Sequence, residues 1–203
     1  MSASIRRPRR RSVRAITLGA VATGLVTSGA LVWGASYSAF SATTSNGSNN
    51  WSAGTVALAD DSNNTAMFSA TNLKPGSTDS KCIAVTSSGS VASAVKLYGT
   101  GATTTKALSS SLNLTIAQGT GGGSGSCTGF TPLTSGSAVY TGTLASFGSA
   151  ATNYSTGVGN WAPTGTASET RVYKITYGLD ANTPNTAQGG TASIGFTWEA
   201  QNS

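Results

Sequence analysis

A chain of 203 residues with twelve Lys and Arg against six Asp and Glu has a formal charge of +6, and it contains no histidine. Without imidazole, Ser-His-Asp and Cys-His nucleophile arrangements and HExxH zinc sites are excluded. Six of the cations, Arg6, Arg7, Arg9, Arg10, Arg11 and Arg14, lie in the first fourteen residues; six Lys and Arg then meet six acids over 39–203, which leaves no basic patch for nucleic acid.

Residues 1–38 read as a secretory signal peptide. The arginines precede the uncharged run Ala15–Trp33, and Ser36 and Ser38 stand at −3 and −1 of a cut before Ala39. A retained membrane anchor is the rival, because 19 residues are marginally enough to span a bilayer. Glycines and hydroxyl residues such as Gly19, Thr23, Gly24 and Ser28 dilute that run. Arg10-Arg11 invites a twin-arginine reading, which nothing downstream strengthens. The expected product is secreted, extracellular or at the cell surface, cut between Ser38 and Ala39, with no stable membrane association after cleavage.

Residues 39–50, "AFSATTSNGSNN", form a polar, uncharged, extended strip. Residues 51–203 form the domain; the part after the cut, about 165 residues, suits a single core. Period-two alternation places half-buried strands at 54–60, 81–89, 91–99, 111–119, 169–179 and 191–201. In the last of these Ala192, Ile194, Phe196 and Trp198 share one face, and Thr191, Ser193, Thr197 and Glu199 the other. A short helix fits Thr143–Ala151. Many short strands separated by turn signals predict an all-β, jelly-roll-like β-sandwich.

The chemistry-bearing residues are few. "DDSNN" at 60–64 offers oxygen ligands for calcium, but Asp, Asn and Ser also close tight turns through local hydrogen bonds, and EF-hand spacing is missing. The six acids, Asp60, Asp61, Asp79, Glu169, Asp180 and Glu199, fall in or beside polar turns or at strand ends. Solvation explains them more simply than a glycosidase pair. Trp51, Tyr98, Tyr154, Trp161 and Trp198 are candidates for a carbohydrate platform or for packing, with no spacing that gathers them. "GTGGGSGSCTG" at 119–129 reads as a flexible surface loop; no helix follows it to make a phosphate cradle. Cys82 and Cys127, an isolated pair in an exported chain, predict one disulfide. No cofactor or metal is expected.

Four elements in order, Ala39-Phe40 after the leader, Ser52-Ala53-Gly54-Thr55, Asn72-Leu73-Lys74-Pro75-Gly76, and a strand ending in Ser88-Gly89-Ser90, resemble the TasA/camelysin family of secreted bacterial proteins. The ending "GGTASIGFTWEAQ" is similar to the terminal strand of actinobacterial-type members, whereas 100–168 matches nothing specific. The resemblance implies a jelly roll released by a SipW-type signal peptidase. It also implies, for some members, extracellular fibres in which each subunit lends an N-terminal strand to the next. The segment Ala39, Phe40, Ser41, Ala42, Thr43 and Thr44 would be that donor strand; a disordered terminus, or a first strand folded back into its own domain, is the alternative. The metalloendopeptidase label of camelysin does not carry over to a chain without histidine. In the Asn72–Gly76 turn, Pro75 fixes φ and Gly76 supplies a positive φ, a structural role. The expected function is a non-catalytic structural subunit whose partner is a second copy of itself. A monomeric adhesin or glycan-binding module is the rival.

Overall fold

The structure, a computed structural model, describes residues 41–42, 54–63 and 65–202, all within a unit spanning Phe40–Ser203. The leader, its Ser38/Ala39 cut, Phe40, Thr43, Thr44, Trp51 and Asn64 lie outside the described residues.

Ten strands follow in chain order: β1 (Ser41–Ala42), β2 (Leu58–Asp60), β3 (Thr78–Ser87), β4 (Ser93–Thr104), β5 (Leu112–Thr120), β6 (Thr131–Pro132), β7 (Ala138–Thr143), β8 (Val158–Trp161), β9 (Glu169–Leu179) and β10 (Ala192–Asn202). Among the described residues two short α-helices, α1 (Leu108–Ser111) and α2 (Leu144–Ala150), sit on connections. One sheet runs β1-β10-β4-β8; the other runs β2-β3-β9-β5-β6, with β7 also paired to β5. All pairings are antiparallel.

Leaving aside β2 and β6, the remaining eight strands pair as a nested set: β1 with β10, β3 with β9, β4 with β8, and β5 with β7. First pairs with last and each inner pair lies within the previous one. This is the strand order of a jelly roll, so the expected all-β sandwich is the observed one.

Alternation builds the core. Ile83 and Val85 on β3, Leu114 and Ile116 on β5, and Tyr173 and Ile175 on β9 face Val95, Leu97, Trp161 and Ala200 of the other sheet, each at most 3% exposed. Burying one such side chain contributes about 1.5–3 kcal/mol, so these positions carry much of the drive to fold. Phe147 of α2, fully buried, packs edge-on against Tyr140 with centroids 4.9 Å apart and leans on Phe196 at 5.7 Å. Thr143 caps that helix, its side chain accepting from the Ser146 amide at 3.1 Å.

The outer face of the larger sheet carries a row of hydroxyls running across four strands, Ser80, Thr176, Thr115 and Thr141. Ser80 and Thr176 share a 2.8 Å hydrogen bond. Thr suits a pleated face that is apolar within and wet without.

Candidate functional site

Among the described residues, the features that bear on function are sheet edges. A strand edge presents unpaired N–H and C=O groups, which must be covered or used.

The β10 edge is met by β1 alone among the described residues. Ser41 lies opposite Gln201 and Ala42 opposite Ala200, within the chain's own sheet. Eleven residues of β10 thus have a two-residue partner on that side and a nearly continuous partner, β4, on the other. Of the anticipated donor strand, Ser41 and Ala42 are the part whose pairing is described, and they pair within their own chain.

Next to that edge lies a group that alternation misplaced. Glu199, assigned by period two to a solvated face or strand end, is 8% exposed. Its Oε2 accepts from the Tyr98 hydroxyl at 2.8 Å and its Oε1 from Gln201 Nε2 at 2.9 Å. Burial, and then the Glu199 carboxylate, push the Tyr98 phenol up. The expectation of six solvated acids is therefore corrected. Tyr98, aligned across the sheet with Thr197, reaches diagonally over the strand and removes this one from water.

The β3 edge is covered residue by residue. Thr86 pairs with Ala59 of β2. Beyond β2, the Ala84 amide donates to Asp61 Oδ1 at 2.9 Å and the Ala84 carbonyl accepts from the Asp61 amide at 3.1 Å. The Cys82 carbonyl accepts from the Gly125 amide at 2.9 Å, and the Ser80 amide donates to Asp79 Oδ1 at 2.7 Å. Asp61 holds the glycine-rich loop as well, its Oδ2 accepting from the Ser124 amide at 2.5 Å. The expected Cys82–Cys127 disulfide is present and pins the same loop.

Two sequence readings change accordingly. "GTGGGSGSCTG", expected as a flexible surface loop, is a cover tied to β3, with left-handed backbone at Gly121, Gly122 and Gly125 that lets it double back. In "DDSNN", Asp60 closes a turn by accepting from the Ser62 amide at 2.9 Å, and both oxygens of Asp61 accept backbone amides. The turn reading of those residues explains the described contacts. No group of three or more Cys, Asp or Glu placed to hold a metal occurs among the described residues.

The remaining edges are short. β8 has four residues, an irregular register against β4, and Gly159 at φ +103, whose carbonyl accepts from Lys96 Nζ at 2.7 Å.

The Asn72–Gly76 turn is as anticipated in its backbone. The Ser77 amide donates to the Lys74 carbonyl at 2.8 Å across Pro75 and Gly76, the latter at φ +83, which is a type II turn. It leads into β3, and the Gly76 amide donates to the Leu179 carbonyl at 2.8 Å. Asn72 and Leu73 lead into it without strand pairing. Among the described residues the aromatics do not form a platform: Trp161 is 3% exposed in the core, and Trp198 leans on Tyr173 there at 5.3 Å. The Arg171 guanidinium lies 5.8 Å over the Trp161 ring.

No protein-family model and no curated protein matches this chain.

Proposed function

We propose that the chain is a secreted, non-catalytic subunit of an extracellular fibre or matrix, akin to the TasA/camelysin proteins, cut before Ala39 by a SipW-type signal peptidase and joined head to tail by its 39–50 strip. The observation that supports this reading is the pairing of Ser41 and Ala42 with the outer edge of β10. That pairing puts two residues of the strip, Ser41 and Ala42, in strand geometry at a specific edge. The same hydrogen bonds made to a neighbour's β10 would leave each subunit both donor and acceptor. Such a heterologous contact runs on as an open filament. The balance of six cations and six acids over 39–203 keeps repulsion between stacked subunits low.

The experiment is electron microscopy and sedimentation of residues 39–203 beside a variant lacking 39–48. Fibres from the first and a folded monomer from the second are expected, with Phe40→Asp weakening assembly at little cost to the monomer. Equal polymerisation of both, or unfolding of the truncated form of an otherwise monomeric protein, would overturn the reading.

A further inference from the structure

We infer that the β3 edge, Thr78–Ala84, is a second strand-pairing surface for another copy of this chain, latched shut by the Cys82–Cys127 disulfide.

Three observations carry this. The edge is a regular strand on its inner side, paired with β9 from Thr78 to Ser87, yet β2 covers it only from Val85 to Ser87. Of its remaining outward groups, on the even-numbered residues, the Ser80 amide is met by a side chain, the Cys82 carbonyl by a loop amide, and the Ala84 amide and carbonyl by the Asp61 side chain and amide. None of these covers is a strand. The cover is also incomplete: a hollow of about 250 Å³ lies along the edge, lined by Lys81, Cys82, Asp61, Met67, Ser124 and Gly125.

The occupant follows from register and charge. Because the even residues point outward, an antiparallel pairing of two β3 edges about Ser80 makes Ser80–Ser80 a mutually hydrogen-bonded pair. In that register Asp79 of each copy stands opposite Lys81 of the other, and Thr78 opposite Cys82. Two opposite-charge pairs are gained on one face by the two-fold alone, since both residues come from the same strand. A partner with a different sequence would have to supply that alternation itself.

The latch is covalent. Reduction by a dithiol cleaves the S–S bond, places two electrons and two protons on Cys82 and Cys127 as thiols, and leaves the reductant as a disulfide. The 121–129 loop is then held by Asp61 and by single backbone bonds, the Gly125 amide to the Cys82 carbonyl among them, which an incoming strand can displace. This surface is separate from the β10 edge and does not depend on the 39–50 strip.

The test uses residues 39–203 carrying Phe40→Asp, with light scattering on a sizing column before and after dithiothreitol and with strand content followed by circular dichroism. A monomer when oxidised and a doubling of mass when reduced are expected. Asp79→Lys should abolish the reduced dimer by facing Lys against Lys, and Asp79→Lys with Lys81→Asp should restore it. A reduced chain that keeps its strands and stays monomeric overturns the inference, as does a reduced dimer indifferent to the charge swap. If dithiothreitol unfolds the chain, Cys82→Ala with Cys127→Ala, studied folded at a temperature below its lowered Tm, decides: a dimer lost with Asp79→Lys supports the surface, and a folded monomer overturns it. Filaments that persist on reduction and vanish without residues 39–48 bear on the strip alone, so the two proposals fail separately.

Discussion

Removing the Cys82–Cys127 bridge perturbs the fold by an amount that can be worked out beforehand. The cysteines are 45 residues apart, and closing a loop of that length in the unfolded chain corresponds to about 4 kcal/mol in the chain-entropy model. The native state loses little else if the loop stays in place, because Gly125 still donates to Cys82 and Ser124 to Asp61. If the loop lifts, those bonds go too, at about 1 kcal/mol each. For a domain of this size 1 kcal/mol corresponds to roughly 2–4 °C in Tm, so Cys82→Ala with Cys127→Ala should lower Tm by about 8–16 °C. Thermal circular dichroism on chains that also carry Phe40→Asp and Asp79→Lys, so that neither proposed strand-pairing surface contributes, measures this, with thiol counting to verify the bridge in the parent. Asp61→Ala discriminates further. It should cost more without the bridge than with it if the two restraints hold one loop, because Asp61 is then the side chain that keeps the loop on β3. A Tm loss under about 3 °C with a verified bridge, together with full additivity of Asp61→Ala, would refute the account of this loop as a tied cover.

Phe147→Ala should cost about 3–5 kcal/mol in urea denaturation, since a fully buried ring between Tyr140 and Phe196 leaves a cavity that a helix tied at Thr143 cannot close. Gly76→Ala should cost about 1–2 kcal/mol, because φ +83 is strained for any Cβ although nothing obstructs the added carbon; a neutral result would contradict the type II turn. The Glu169 carboxyl is held below its ordinary value of 4.5 by the Thr164 hydroxyl and then the Thr164 amide. With a folded pKa below the unfolded one, its stabilisation is present above about pH 4.5 and is lost as pH falls through the folded value. Glu169→Gln should therefore flatten the acid side of the stability–pH curve below that point and leave its alkaline side unchanged, as read by urea melts across pH.

How much of this was legible beforehand depended on whether a segment's partners were apolar. Glu169–Leu179 and Ala192–Asn202 match the expected strands to within a residue, because their inner positions are large side chains at strict alternation. The helix at Leu144–Ala150 was likewise expected within 143–151. β7 and β8 were not expected: "AVYTGT" and "VGNW" are short, interrupted by Gly142 and Gly159, and acquire strand form only from β5 and β4 alongside. The β3 cover was also hidden. Cys82 and Ala84 fell on the outer face by period, and nothing local shows that a loop more than 40 residues later folds over them. Glu199 is the same failure in reverse, a charge read as solvated whose partner Tyr98 lies 101 positions away. Distant pairing of this kind leaves no periodic trace.

The nesting of strand pairs has a kinetic consequence. β4 cannot complete its sheet until β10 arrives, about a hundred residues later in the chain, and β3 waits almost as long for β9. Among the described strands, only β5 with β6 and β7, and β2 with β3, join neighbours close in sequence. Loop closure must therefore be met in entropy before most of the hydrogen-bonded ladder forms, which places this domain among slow, high-contact-order folders. A chain that has emerged only as far as Leu179 lacks the strand that lies between β1 and β4, so its smaller sheet is incomplete over the core. Arrival of Phe196, Trp198 and Ala200 then covers that core. The interval between the two is when this protein is most exposed to aggregation, and its length is set by how fast residues 180–202 follow.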